Sequence, residues 1–279
     1  MAEKQQSEVH ELQRETEGNL WSQPDIGFQW VRGDLDYVAN PAIIFECYNY
    51  EWGDLKRRVI DILSKARKAS GAPVSLYARS RNFTEAELLG ALAGLANAYP
   101  EVPVLLHCFG LDGLREIQRV SKAKVLVNYV SGERWALHGI LDVLANRPLP
   151  VVVQTIGDEG IPRDVAGRMK VVEGVWRELE AIGLSRSEVY VDALSPSLCA
   201  LPETLKVSLS TVEAAKREGF RTILWPANAG LGHPHRQVVG SAFVSLAMRQ
   251  GLDVAVVRAS DHELVVCMDT ILKLRGDSQ

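Results

Sequence analysis

Two short apolar segments end in polar side chains that could bind a heterocyclic ring. Residues 189–192 and 222–225 are rich in β-branched residues, and each segment runs into a loop marked by Gly or Pro. This pattern is typical of a buried parallel strand that leads into a functional loop. The first segment ends at Asp192, and Asn228 follows the second. A carboxylate and a carboxamide at the ends of successive strands are suited to hydrogen-bonding a flat, nitrogen-rich ring.

The rest of the chain predicts a scaffold of alternating strands and helices. The predicted strands cover residues 42–47, 73–77, 102–107, 123–128, 149–155, 189–192, 222–225 and 253–257. The predicted helices cover residues 55–68, 84–97, 110–120, 134–146, 163–182, 209–218, 235–250 and 264–274. Eight strand–helix units predict a single α/β domain of the (β/α)8 TIM-barrel type. An open doubly wound sheet is the alternative, but no Gly-x-Gly-x-x-Gly motif follows the first strand.

Length and composition limit the classes of protein that the chain can represent. The 279 residues contain no internal repeat and no linker, so we expect a polar N-terminal arm at residues 1–25 and one barrel at residues 26–279. A hydrophobic fraction of 47%, a charged fraction of 24% and a net charge of -4 are ordinary for a globular protein and give no electrostatic reason to expect nucleic acid. No apolar run approaches the roughly 18–20 residues of a membrane span.

The N-terminal sequence and the cysteines predict the compartment. The first residues are polar and lack the apolar core of an export signal, which favours a cytoplasmic location. The four cysteines are far apart and form no CxxC or Cys/His cluster, so we expect reduced thiols and no metal site.

Polar residues at the predicted strand ends are the candidates for a site, because barrel active sites lie on the loops that follow the strands. These residues are Glu46, Asn49, Arg79, Arg81, His107, Asn128, Gln154, Asp158, Asp192, Asn228, His233, Arg258 and Asp261. The set contains no Ser-His-Asp order, no phosphate-binding loop and no close pair of carboxylates. Its many amides favour hydrogen-bond recognition and charge stabilisation over covalent catalysis.

Four segments resemble one family of barrels in their order and spacing. They are VLVNYVSGE, GDEGIPRDVAGR, VYVDALSPS and ANAGLGHPHRQVVGSAF. Together they are similar to the pterin-binding barrels, most of all to the methyltetrahydrofolate:corrinoid protein methyltransferases. Dihydropteroate synthases and the H subunit of tetrahydromethanopterin S-methyltransferase are more distant relatives. The resemblance covers residues 102–257 and is most specific in the last two segments.

The resemblance assigns roles to individual residues. The fourth-strand asparagine of the family falls on Asn128 and its Asp-Pro-Leu aspartate on Asp192, so these two would hold the pyrimidine edge of a pterin. The loop asparagine falls on Asn228, which would be catalytic and stabilise a proton on the pterin N5. Arg236 ends the Gly-x-Pro-x-Arg motif and could neutralise a substrate carboxylate. The predicted substrate-binding residues are Asp192, Asn128, His107, Gln154, Asp158 and Arg236.

The chain departs from the family pattern at six positions, two of which are Tyr129 after Asn128 in place of serine and Ala193 after Asp192 in place of proline. His107 replaces the third-strand aspartate, and Ala227, Gly230 and Gly240 replace two serines and an asparagine. An imidazole changes its hydrogen-bonding pattern near its reference pKa of about 6.5. If His107 accepts a hydrogen bond from the ring, ring affinity should therefore fall on acidification.

The implied activity moves a methyl group between the N5 of a reduced pterin and the cobalt of a corrinoid. The implied substrate is tetrahydrofolate or methyltetrahydrofolate, and the implied partner is a separate protein that carries cobalamin or another corrinoid. The resemblance also implies a homodimer. A dihydropteroate synthase-like condensation and a non-catalytic pterin binder are the alternatives. Each residue also has a structural alternative, since Asp192, Asn128 and Asn228 could be turn residues and His107 a core histidine.

Overall fold

A computed structural model describes residues 40–48, 52–68, 73–79, 83–122, 125–258 and 261–275. The backbone alone is described for residues 40–48, 52, 78, 79, 258 and 275. The polar arm expected at residues 1–25 lies outside these ranges.

The described chain alternates regularly between strand and helix. The strands are β1 Asn40–Tyr48, β2 Val74–Arg79, β3 Val104–His107, β4 Val125–Gly132, β5 Val151–Gly157, β6 Val189–Asp192, β7 Arg221–Leu224 and β8 Val254–Arg258. The α-helices are α1 Trp52–Lys68, α2 Glu85–Ala96, α3 Leu111–Val120, α4 Arg134–Leu144, α5 Val165–Ala181, α6 Pro202–Arg217, α7 Arg236–Arg249 and α8 His262–Arg275. Short 3-10 helices cover Arg186–Glu188 and Pro226–Gly230.

The strands form a closed parallel barrel in sequence order, because β1 pairs with β2 on one side and with β8 on the other. Each strand is followed by a helix, and the helices pack outside the sheet around one large apolar core. The (β/α)8 barrel predicted from the sequence is confirmed, and the open doubly wound sheet is excluded. None of the described helices has both the length and the apolar character needed to cross a bilayer.

Helix α2 shows how local sequence sets an element boundary. The Thr84 hydroxyl accepts a hydrogen bond from the Glu87 backbone N–H at 3.2 Å, and the Glu87 carboxylate accepts one from the Thr84 backbone N–H at 2.7 Å. This reciprocal capping box satisfies two of the N–H groups that a helix start leaves unpaired. It confirms the start that the spacing of the two residues predicts.

Two boundaries differ most from the sequence prediction, while several others shift by smaller amounts. Helix α6 begins at Pro202 rather than at residue 209. Proline is compatible with the first helical turn, where its missing N–H would have no partner inside the helix. Strand β4 continues to Gly132 rather than ending at residue 128, and its register against β5 shifts between Asn128 and Val130.

The barrel interior has two layers with different chemistry. The lower layer is an apolar floor formed by Leu105, Val152, Ile223, Val254 and Val256, with Leu126, Tyr129, Tyr190 and Trp225 packed against it. Side chains alternate along a strand, so the position two residues after a floor residue faces the same interior. On β3, β4, β5 and β6 that next position carries His107, Asn128, Gln154 and Asp192. The floor therefore closes the barrel beneath a layer of polar groups.

The core between the barrel and its helices provides a test of the fold. We expect Leu106→Ala, at a fully buried position on β3, to lower the free energy of unfolding by about 2–5 kcal/mol, because it removes transfer energy and leaves a cavity. Chemical denaturation measures this change. The control Leu274→Ala, at a position 83% exposed on α8, should change stability by no more than about 0.5 kcal/mol. Equal effects of the two substitutions would contradict the packing described.

Candidate functional site

A cavity of about 760 Å³ opens above the polar layer at the C-terminal ends of the strands. This volume is typical of a small-molecule site. Five predicted site residues line it, namely His107, Asn128, Gln154, Asp192 and Asn228. The other described residues of its wall are Phe109, Tyr129, Ile161, Pro162, Arg163, Arg168, Leu194, Ser195, Pro196, Leu201, Glu203, Thr204 and Trp225. Asp158 and Arg236 do not belong to this lining.

Asp192 is the most deeply buried carboxylate of the cavity, with 3% of its surface exposed. Its Oδ1 accepts a hydrogen bond from the Leu194 backbone N–H at 2.8 Å, and its Oδ2 accepts one from the Gln154 amide at 3.3 Å. Burial raises the pKa of Asp192 to about 7, because the charged form is poorly solvated. Near neutral pH the carboxyl group can therefore either accept or donate a hydrogen bond to a ligand.

Leu194 adopts an unusual backbone conformation that holds this carboxylate. Its φ of 62° lies in the left-handed region, the only such value for a non-glycine residue in the described ranges. A branched side chain disfavours this region, and such conformations concentrate at functional sites. Here the conformation accompanies the hydrogen bond from the Leu194 N–H to the carboxylate and places Leu194 itself in the cavity wall.

Arg168 supports the same strand end and was not predicted from the sequence. It is completely buried on α5, and its Nη1 donates to the Ala193 carbonyl at 2.6 Å and to the Ser208 hydroxyl at 2.9 Å. Burial lowers the pKa of Arg168, and the charge of Asp192 opposes that shift. The segment GDEGIPRDVAGR contains Arg168, but nothing in its helical spacing separates a buried arginine from a solvated one.

His107 is held by the protein on both sides of its ring. Its Nε2 lies 2.8 Å from the Ser75 hydroxyl, and its Nδ1 lies 3.2 Å from the Asn128 amide nitrogen. Burial lowers the pKa of His107 to about 4, so the ring is neutral throughout the physiological range. The lowered pKa therefore does not support the expected change in ring affinity near pH 6.5, and both ring nitrogens already have protein partners.

Asn228 lies at the exposed side of the cavity, on the 3-10 helix Pro226–Gly230. Its backbone N–H donates to the Trp225 carbonyl at 3.0 Å, and its carbonyl accepts from the Leu231 N–H at 3.1 Å. A Cβ at Gly230 would clash with the Arg236 carbonyl oxygen. A serine cannot occupy that position in this backbone, which explains one departure from the family pattern.

Arg236 supports the Asn228 loop rather than the cavity. Its Nε donates to the Ala227 carbonyl at 3.3 Å, and its backbone is the group that Gly230 approaches. The placement therefore gives no support to Arg236 as a substrate contact, because the guanidinium is directed to the main chain of the preceding loop. The motif position of Arg236 indicates a positioning role instead.

Asp158 joins two loops at the outside of the barrel mouth. Its carboxylate accepts from the Arg134 backbone N–H at 2.9 Å and from the Arg134 guanidinium at 2.6 Å. These bonds lower the pKa of Asp158, the backbone bond most of all. A carboxylate paired in this way connects the end of β5 to the start of α4 and does not face the cavity, so the substrate contact predicted for Asp158 is not supported by its position.

Aromatic rings form a wall around His107. The ring centroids lie 5.4 Å apart for Tyr77 and His107, and 6.1 Å apart for His107 and Trp225. Phe109 extends this wall, with centroids 5.9 Å from Tyr77 and 6.2 Å from Tyr129. Trp225 both packs against the apolar floor and lines the cavity, although the strand-end candidates did not include it. The sequence could have identified these aromatic residues by their position, since they lie at or just beyond the ends of the predicted strands.

Other strand-end candidates do not contribute to the described cavity. His233 is directed to its own loop, where its Nδ1 accepts from the His235 backbone N–H at 3.0 Å. The side chains of Glu46, Arg79 and Arg258, and the whole of Asn49 and Arg81, lie outside the part of the chain that is described. Within that part, no three His, Cys, Asp or Glu side chains are grouped so that they could hold a metal ion.

The raised pKa of Asp192 makes a prediction about stability. The folded protein binds the Asp192 proton more tightly than the unfolded chain does, because the pKa rises from 3.8 to about 7 on folding. The contribution of this proton to the free energy of unfolding is therefore full below pH 3.8 and is lost as the pH rises through about 7. Relative to Asp192→Asn, the wild type should lose about 2 kcal/mol of unfolding free energy between about pH 5.5 and about pH 8. Denaturation curves of both proteins across this range measure the difference. A pH-independent difference would show that Asp192 has the same pKa folded and unfolded.

The sequence of the chain is similar to parts of two known enzymes. No protein-family model matches the sequence. The chain is 26% identical over 184 residues to a methionine synthase of Mycobacterium leprae, an alignment that covers 61% of this chain and only 15% of that protein. It is 24% identical over 191 residues to a methylcorrinoid:tetrahydrofolate methyltransferase of Eubacterium limosum, covering 65% of this chain and 68% of that protein.

Solved structures with a similar fold include dihydropteroate synthases. The enzyme from Stenotrophomonas maltophilia has a TM-score of 0.66 at 16% identity, and that from Vibrio fischeri a TM-score of 0.66 at 14% identity. Each comparison covers 88% of this chain and 96% of the other. At such identities the structural likeness shows the fold alone. With the two sequence relatives, it confirms the resemblance to the pterin-binding barrels related to corrinoid methyltransferases.

Proposed function

We propose that the protein transfers a methyl group between the N5 of a reduced pterin, such as methyltetrahydrofolate, and the cobalt of a corrinoid carried by a partner protein. One observation carries this proposal. Asp192, Asn128 and Asn228, which match the family motifs in three separate segments, line one cavity. The names of the two sequence relatives support the same chemistry.

The polar layer suits the edge of a pterin ring. Asn128 is 5% exposed, and its Oδ1 has no hydrogen-bond partner among the described residues. An unsatisfied buried acceptor costs about 1–3 kcal/mol, which a ligand N–H would recover. Asp192 adds a carboxyl group that can accept or donate near neutral pH. Together they would bind the alternating donors and acceptors of a pyrimidine edge.

The walls suit the faces of the same ring. Phe109, Tyr129 and Trp225 line the cavity, so a flat ring would be bounded by aromatic surfaces while its edge meets the polar layer. The apolar floor below excludes water from the deep side of the site. A pterin bound in this way would have one edge buried and the rest directed toward the mouth.

The chemical step needs a proton at the mouth side. When the N5–methyl bond breaks, its electron pair stays on N5, which takes up a proton, while the electron pair of Co(I) forms the new carbon–cobalt bond. A tertiary amine leaves poorly without that proton. Asn228 is exposed and lines the cavity, so its amide can orient a water molecule that delivers the proton. An amide is not itself a strong acid, and its role is therefore to position and stabilise.

Asn228 should matter more for methyl transfer than for pterin binding. We expect Asn228→Ala to reduce the rate of transfer to a Co(I) corrinoid by about 10²-fold or more, because the interaction strengthens only as the bond breaks. The pterin dissociation constant should change far less. Stopped-flow transfer and calorimetry on the same preparation separate the two quantities. The control Asn146→Ala, at an exposed position after α4, should leave both unchanged. If the Asn228→Ala variant transfers methyl at the wild-type rate, Asn228 has no catalytic role and serves only the turn in which it lies.

The rim of the mouth supports a protein-borne acceptor. Exposed apolar side chains lie at the mouth ends of five successive strand–helix units, namely Phe109, Trp135, Ile161, Leu201 and Leu231. Their exposed fractions run from 45% to 80%. Apolar side chains grouped around a pocket mark interaction sites. A free small-molecule acceptor would leave this rim in water, whereas a carrier protein would cover it.

Trp135, the most exposed of these rim residues at 80%, provides a test of the carrier. Trp135→Ala should weaken the apparent affinity for the corrinoid protein by about 5–30-fold, the effect of losing roughly 1–2 kcal/mol at an interface. Methyl transfer to free cobalamin should be unchanged. Leu274→Ala is the control, since Leu274 is similarly exposed but lies near the end of α8, at the opposite end of the barrel. If Trp135→Ala leaves the carrier reaction unchanged, the rim is not the docking surface.

A further inference from the structure

A buried chain of three side chains links β2, β3 and β4 beneath the cavity. Ser75 is completely buried, His107 is 9% exposed and Asn128 is 5% exposed. The Ser75 Oγ lies 2.8 Å from His107 Nε2, and His107 Nδ1 lies 3.2 Å from the Asn128 amide nitrogen. His107 and Asn128 are also register partners on adjacent strands. The three groups therefore form one continuous line of hydrogen bonds that ends at the cavity wall.

The orientation of the Asn128 amide in the structure implies one direction for each bond in this line. An amide nitrogen only donates, so His107 Nδ1 must accept from Asn128. A neutral imidazole carries one N–H, which is then on Nε2 and donates to the Ser75 hydroxyl. The Asn128 Oδ1 is left as an acceptor without a partner among the described residues. In this state Asn128 offers the ligand an acceptor.

A reversed state satisfies the same positions of the heavy atoms. Rotation of the Asn128 amide by half a turn exchanges its oxygen and nitrogen, which are nearly the same size. The oxygen then accepts from a proton on His107 Nδ1, and the Ser75 hydroxyl donates to Nε2. In that state Asn128 offers the ligand an N–H donor. Both states need a neutral ring, and burial keeps the pKa of His107 at about 4, well below physiological pH.

An aspartate at this position would permit only the first state. An ionised carboxylate only accepts, so it would always bind the amide nitrogen and leave the Asn128 oxygen for the ligand. The related methyltransferases carry an aspartate here according to the motif resemblance. Replacement by histidine removes that restriction while keeping the bond to Asn128.

We propose that His107 is a specificity-determining residue that makes the hydrogen-bonding polarity of Asn128 reversible. The cavity then binds flat rings that present either a donor or an acceptor to Asn128. The choice of a pteridine as the ring rests on the proposed function, but the reversal itself concerns only Ser75, His107 and Asn128. His107 acts through Asn128, whose amide nitrogen lies 3.2 Å from His107 Nδ1.

Two pteridines with exchanged substituents test the proposal. The probes are 2-amino-4-oxopteridine and 4-amino-2-oxopteridine, whose exocyclic donor and acceptor are interchanged. We expect wild-type protein to bind both with dissociation constants within about tenfold of each other. His107→Asp should retain one probe and lose at least about tenfold in affinity for the other, because the second complex would leave a buried polar group without a hydrogen-bond partner. His138→Asp, at an exposed position on α4, is the matched control and should bind both probes like the wild type.

Nitrogen-15 NMR of the histidine rings gives a second readout that needs no variant. His107 should carry its proton on Nε2 in the free protein and in one complex, and on Nδ1 in the other complex. The probe whose complex shows the Nδ1 proton should be the one that His107→Asp loses. One tautomer in both complexes would overturn the proposal, as would wild-type binding of only one probe or of neither. Binding of both probes with tautomer exchange, but without methyl transfer to any corrinoid, would support the reversal and reject the proposed methyltransferase function.

Discussion

A carboxyl group buried at the end of β6 is the constraint on which the rest of the site depends. Removing Asp192 from water disfavours its charge, and its surroundings offset this only in part. The Leu194 N–H and the Gln154 amide donate to it, and the buried Arg168 lies close enough to favour its charge. These contacts also constrain neighbouring parts of the fold. Leu194 adopts a left-handed backbone conformation. Arg168 connects α5 to the β6–α6 loop and to α6 through its hydrogen bonds. These contacts fix the position of the Asp192 carboxyl group at the wall of the cavity.

The barrel separates the tasks of the site by depth. The floor is apolar, the next layer carries the groups that would bind a ring edge, and the loops above carry Asn228 and the exposed rim. This order follows from the alternation of side chains along each strand, because a residue two positions later on the same strand faces the same interior one layer nearer the mouth. A buried polar layer below an exposed loop suits the proposed reaction, in which one substrate would be enclosed and the other would arrive on a protein.

Much of this arrangement can be predicted from the sequence, because polar residues at the C-terminal ends of the strands of a parallel barrel lie together at its mouth. Asp192 and Asn128 could be placed because each directly ends a short β-branched run, and β6 has the predicted bounds. The sequence does not predict the direction of a side chain that lies in the loop beyond a strand. Arg236 is directed to the Ala227 carbonyl and Asp158 to Arg134, contacts made by neighbouring loops whose path no local pattern determines. The sequence does not reveal the early start of α6, because proline occurs both in loops and in the first turn of a helix.

The most direct test of the account is the activity of the wild-type protein with two sets of substrates. Methyltetrahydrofolate and a corrinoid protein reduced to Co(I) form one set, followed by the absorbance change of cobalt methylation. A dihydropterin diphosphate and 4-aminobenzoate form the other, followed by the appearance of dihydropteroate. The account predicts methylated corrinoid from the first set and no product from the second. Dihydropteroate formation, or pterin binding without methyl transfer to any corrinoid, would contradict it.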